Sequence, residues 1–330
     1  MVRSDNMVLE VYPDIYLLEI PLPNNPLRAL NSYIIKSDNE SLIIDTGFNM
    51  KECKDALMEG LEELNIDLNN CKLLISHLHS DHSGLAASLN QEGVKVYAGE
   101  IDGNMINDMT TEEYWKQFDD YKILFDLERD NISIDDHPGY KYCPDKAIDF
   151  IPLKEGQTLT VGNYRLEVVD IPGHTPGHIG LYERGHRLFF GGDHVLNRIT
   201  PNISFWGFGA DILAIYFESL KKVYDYPIDY LFSSHRSIVR DHRKRIEELL
   251  KHHQERLDEI REIIRYEKMT VRDVAAQMNW DLRYDNWEDF PSPQKWFASG
   301  EAMSHLEHLV YIGEAEKTKE DGILYYKLIG

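Results

Sequence analysis

Three cysteines in 330 residues leave little to build with. Cys53, Cys71 and Cys143 are far apart and form no CxxC pair, so neither a disulfide framework nor a thiolate metal site is expected. Long apolar runs are missing too. No segment approaches the roughly 18 uninterrupted apolar residues of a membrane span. Met1-Val2-Arg3-Ser4-Asp5-Asn6 lacks the apolar stretch of a signal peptide. The expected compartment is the cytoplasm, with no membrane partner. Positive charge is scarce: 35 Lys and Arg stand against 57 Asp and Glu, for a formal net charge of −22. Duplex nucleic acid is bound through cations that neutralise its phosphates, so a nucleic-acid partner is not expected. A hydrophobic share of 42% is enough for a sizeable core, and the length suits two domains.

Metal-ligand chemistry, in contrast, is concentrated. His77-Leu78-His79-Ser80-Asp81-His82 places four imidazole or carboxylate groups in six residues, just after the apolar strand pattern Leu73-Leu74-Ile75. Such groups bind zinc, iron or manganese. Further candidates follow other strand patterns: His174 in Gly173-His174-Thr175-Pro176-Gly177-His178, Asp193 in Gly191-Gly192-Asp193-His194, and His235 in Ser233-Ser234-His235. Seven ligands thus emerge from four strand ends, where a rigid element can hold them on one pocket.

With these motifs the sequence resembles the metallo-β-lactamase fold superfamily, on its glyoxalase II-like hydrolase side, from about Val8 to Lys251. The resemblance implies two divalent metal ions, zinc foremost with iron or manganese as alternatives. His77, His79 and His174 would bind the first metal, and Asp81, His82 and His235 the second, with Asp193 bridging them. Asp45, in Leu42-Ile43-Ile44-Asp45-Thr46-Gly47, matches an aspartate that supports the site from behind, and His178 reads as a packing neighbour of His174. A hydroxide held between two cations attacks at neutral pH, because metal binding lowers the pKa of water from about 15.7 to about 7. Asp81 and Asp193 are the catalytic carboxylates in this reading. Asp81 would orient the nucleophile and carry a proton to the leaving group.

Strands interleaved with helices predict an α/β fold, an αββα sandwich with the site along one edge. The sandwich is expected over residues 1–250. Residues 100–150 form an acidic, aromatic insertion that reads equally as a substrate wall and as a packing or dimer element. Residues 251–330 read as a small helical domain ending in a hairpin, resembling the winged-helix domain that some members carry. Its candidate recognition helix has no Lys or Arg from Ala298 to Ile312, which argues against duplex reading and for a dimer contact or a wall over the site.

The expected reaction is hydrolysis of an ester or thioester of a small acyl substrate. Arg236, beside His235, could pair with an anionic group on it, or could belong to the basic start of the next helix. His194, Tyr114, Trp115 and Tyr140 are further candidate substrate contacts. His252, His253, His305 and His308 lie in helical patterns and read as solvated. Two other readings stay open: a mononuclear iron oxidoreductase similar to persulfide dioxygenases, and a hydrolase of RNA or other phosphodiesters.

Overall fold

The computed structural model describes residues 8–281, 283–284 and 286–330. The six residues behind the signal-peptide expectation lie outside them. In the first sheet, β1 (Val8–Tyr12), β2 (Ile15–Pro21), β3 (Ala29–Lys36), β4 (Ser41–Ile44), β5 (Cys71–Ile75), β6 (Lys95–Gly99) and β7 (Phe150–Leu153) lie in chain order. Its first four strands run antiparallel, and β4 to β7 run parallel. The parallel strands need crossovers. These are α1 (Lys51–Glu63), then α2 (Ser80–Ser83) with α3 (Ala86–Gln91), then α4 (Glu100–Asp108), α5 (Glu112–Leu124) and α6 (Pro138–Tyr142).

The second sheet holds β8 (Thr158–Val161), β9 (Tyr164–Asp170), β10 (Ile179–Glu183), β11 (Leu188–Gly192) and β12 (Tyr230–Ser233), in reverse chain order. β11 and β12 are parallel, joined through α7 (Ile212–Asp225). The tail adds α8 (His242–Ile263), β13 (Met269–Thr270), α9 (Val271–Gln277), α10 (Ser292–Tyr311), β14 (Ala315–Glu320) and β15 (Ile323–Leu328). β15 pairs with both β13 and β14.

Side chains of a strand alternate between its faces, and here alternate residues enter different cores. Tyr33, Ile35, Leu42, Ile44 and Leu74 meet Leu166, Val168, Leu181, Phe190 and Phe232 between the sheets. Ile34, Ile43, Leu73 and Ile75 face the other way, onto Leu57, Leu61 and Leu89 of α1 and α3. On the far side Val169, Phe189 and Leu231 meet Leu213 and Tyr216 of α7. The expected sandwich is therefore present as four layers with three cores.

Three local expectations change. The sequence pattern predicts one helix over Ser83 to Glu92, and the structure breaks it at Gly84-Leu85, where the Gly84 backbone lies against that of Gly47 and Asn49. The sequence pattern also predicts a last helix over Trp296 to Ile312, and the structure starts it at Ser292, with Pro293 in its first turn, where a missing N–H costs nothing. His253 and His305 are fully buried instead of solvated, stacked on each other where α10 crosses α8. α10 is enclosed over nearly its whole length, so Ala298 to Glu307 present no face to solvent.

Candidate metal centre

The ends of β4, β5, β9, β11 and β12 bring the motif residues to one edge of the sandwich. α2 opens at Ser80, after the short loop Ser76 to His79 that follows β5, and holds Asp81 and His82 on one short turn. His82 Nδ1 donates to Asp45 Oδ2 at 2.8 Å. Asp45 also accepts from the Ser76 N–H at 2.8 Å and the Ser76 hydroxyl at 2.7 Å. His174 Nδ1 donates to the Asn202 carbonyl at 2.8 Å, and His235 Nδ1 to the Ala29 carbonyl at 2.8 Å. Each ring is thereby fixed with its Nε2 turned inward. The three Nε2 atoms and Asp193 Oδ1 are buried and have no hydrogen-bond partner among the described residues. A buried polar atom left unpaired is costly, so these atoms fit a missing common partner.

Distances support a cation as that partner. Asp193 Oδ2 lies 3.7 Å from His82 Nε2, 3.8 Å from His174 Nε2 and 3.5 Å from His235 Nε2. His235 Nε2 is 3.3 Å from Asp81 Oδ2, and His77 Nε2 is 3.0 Å from His79 Nδ1. Two ligands of one tetrahedral zinc, each about 2.0–2.1 Å from it, stand about 3.3 Å apart. The side chains form three overlapping groups, His77-His79-His174, His77-His82-Asp193 and Asp81-His82-His235, with donor atoms within 4.8 Å of one another in each.

Electrostatics divides the cluster. Burial and neighbouring imidazoles push His77 down, and burial with His174 takes His79 to about 3. Burial also lowers His174. These rings stay neutral, as metal ligands must be. Burial opposes charge on His235, yet Asp193 and Asp81 outweigh it and take its pKa to about 10. Asp45, Asp193 and Asp81 likewise hold His82 well above its usual value against burial. Protons there take the place of the positive charge that the carboxylates demand.

The remaining predicted residues separate. His178 packs behind His77 and against Gly192, where φ is 53° and a Cβ would collide with its ring. His194 is fully buried between His178 and Tyr216 and does not line the cavity. Tyr114 and Trp115 line the cavity that His79, Asp81, His174 and Asp193 also border. Tyr140 does not line it; its ring is turned edge-on to Trp115 and half out in solvent. Arg236 is exposed, takes φ 66°, and reaches the Pro26 carbonyl at the cavity rim at 3.4 Å. It is not a helix-start residue, since α8 begins six residues later behind the Asp241 cap.

Sequence reasoning missed two supports. Asp102, at the start of α4, accepts from the Leu78 N–H at 2.9 Å, the Thr175 hydroxyl at 2.5 Å and the Gly177 N–H at 2.6 Å. It ties the His77–His79 loop to the His174 loop. Asn202 carries His174 on its carbonyl, while its side chain donates to Glu301 of α10 at 2.9 Å. Neither sits in a motif, and the sequence offers no signal for either.

A sandwich with imidazoles and carboxylates gathered at one edge defines a metal-dependent hydrolase class. The chain belongs to the metallo-beta-lactamase superfamily, whose family model matches residues 26–235. It is 30% identical over 174 residues to a hydroxyacylglutathione hydrolase, GloC, of Haemophilus influenzae, covering 52% of this chain and 69% of that one. It is 25% identical over 171 residues to an acyl-coenzyme A thioesterase of Gallus gallus, covering 50% of this chain and 57% of that protein. The crystal structure of a metallo-beta-lactamase family protein from Thermus thermophilus shares the fold at TM-score 0.80 and 24% identity, over 97% of this chain and 100% of that one.

Proposed function

We propose that this protein is a two-metal hydrolase of esters or thioesters, with zinc foremost among the candidate ions. The observation that carries the reading is the set of buried, unpaired donor atoms converging on Asp193 at the floor of a cavity. His77, His79 and His174 would hold one metal, Asp81, His82 and His235 the other, and the Asp193 carboxylate reaches both sets. When bound, the metals supply a water ionised near neutral pH and polarise the acyl carbonyl. The chain supplies position. Asp81 lies 3.3 Å from His235 and borders the cavity, and in this reading its carboxylate would accept a proton from the attacking water and release it to the leaving group. The His79 and Trp206 rings, with centroids 5.9 Å apart, both border the cavity and would flank the substrate carbonyl in this reading. The relatives named for hydrolysing hydroxyacylglutathione and acyl-coenzyme A support thioester chemistry. The free cysteines support a cytoplasmic location.

The test is metal counting with a thioester assay. Two metals per chain and thioester cleavage are expected. Asp193→Ala should lose about one metal, and it should lose more turnover than the roughly 10- to 100-fold that outer partners of a metal site are worth. Full activity in that variant would end the two-metal reading. One iron per chain with oxygen uptake would return the dioxygenase reading.

A further inference from the structure

The metal residues His79, Asp81, His174 and Asp193 border one end of a cavity of about 950 Å³. That volume is at the top of the range for small-molecule sites, about 300–1,000 Å³. Two segments outside the motifs supply much of its aromatic wall: the insertion gives Trp115, Phe118, Tyr121 and Phe125, and the tail gives Trp296. Phe205, from the loop after β11, adds a further ring. The rings hold one another. Phe118 stacks on Trp296 with centroids 4.1 Å apart, and Phe205 sets its edge to Tyr121 at 5.6 Å. The Trp115 indole N–H is already bonded to the Met109 carbonyl at 2.7 Å, so it presents only apolar surface. The cations of the lining, Arg28, Lys141 and Arg283, are all solvent-exposed.

From this continuity of metal floor and aromatic wall we infer that the substrate carries a bulky apolar acyl group, its carbonyl at the metals and its chain against these rings. The inference rests on the hydrolase reading for the carbonyl's place. A small anionic acyl group would leave most of the wall in contact with water. An apolar chain removes that surface from water, and each buried methylene is worth about fourfold in affinity.

Binding to the metal-free protein tests the wall without any turnover. Octanoate, tetradecanoate and 2-naphthoate would be titrated against intrinsic fluorescence, since Trp115, Trp206 and Trp296 all border the cavity. Tetradecanoate should bind at least ten times more tightly than octanoate, or 2-naphthoate should do so if the wall fits flat rings. Phe205→Asp should abolish the preference; if it does not fold, Tyr121→Asp replaces it, with helix content checked by circular dichroism. Equal affinity for all three acids would overturn the inference. The metal-loaded enzyme would then be given acetyl and tetradecanoyl thioesters. Faster cleavage of the tetradecanoyl compound supports the inference, and equal or faster acetyl cleavage overturns it while the hydrolase reading stands. Cleavage of neither, with acid binding intact, overturns the hydrolase reading and leaves the apolar site.

Discussion

Asp45 takes φ 63° at the end of β4, a conformation few residues other than glycine and asparagine adopt. The turn swings its carboxylate back over the end of β5, where it fixes the His82 ring and the Ser76 backbone together. A carboxylate behind a histidine ligand fixes its tautomer and raises its basicity. Asp45→Asn puts an amide N–H where one of these donors must land. Metal affinity should fall about 10- to 100-fold with the fold intact, read by competition with a coloured chelator and by circular dichroism. Unchanged affinity would show that His82 is oriented by packing alone. At this scale the histidine and carboxylate cluster itself was legible, because four of its side chains share six residues beside a strand. Asp102 and Asn202 were not. Their roles come from a hydrogen-bond geometry that brings together residues 73 and 28 positions apart, and no local pattern marks such contacts.

Among the elements, α10 is the least legible, because its sequence carries polar residues on positions that the fold buries. Glu301 is 6% exposed, with Arg256 Nε at 3.9 Å and Asn202 donating to it at 2.9 Å. Burial pushes its carboxyl up to about 7, against the lowering influence of Arg256 and Asn202. The histidines His252 and His253 share this pocket. A carboxyl raised above its ordinary value binds its proton more tightly in the folded chain. Its stabilising contribution is complete below pH 4.5 and is lost as pH rises through about 7. At about 1.4 kcal/mol per pKa unit, the change is at most about 3.5 kcal/mol. Urea unfolding of the metal-free chain, compared with Glu301→Gln from pH 4.5 to 8, isolates it. The wild type should lose stability relative to the variant across that window; a constant difference would mean that Glu301 stays charged. The strands were easier to read, since apolar runs such as Leu73-Leu74-Ile75 are buried on both faces and leave little ambiguity.

For the whole molecule, the αββα layering was legible from the alternation of strands and helices, but the cavity was not. It arises where the insertion meets the tail, with Phe118 stacked on Trp296, a contact between segments 178 residues apart in the chain. The same joining bears on how the molecule unfolds. One apolar cluster holds Tyr216 and Leu220 of α7, Ile246 and Leu249 of α8, and Leu306 and Leu309 of α10, all fully buried. Asp130 of the insertion adds ion pairs to Lys295 at 2.9 Å and Arg272 at 3.0 Å, and it accepts the Trp287 indole N–H at 2.8 Å. A tail that completes a shared core cannot melt without exposing the sandwich's outer helices. Calorimetry of the intact chain should therefore show one transition whose calorimetric and van't Hoff enthalpies agree. Deleting residues 265–330 should leave a chain that aggregates or melts far below the parent, because it uncovers Leu213, Tyr216 and Leu249 together. Two separate transitions, or a shortened chain that keeps its melting temperature and its metals, would instead make the tail an independent domain resting on the catalytic one.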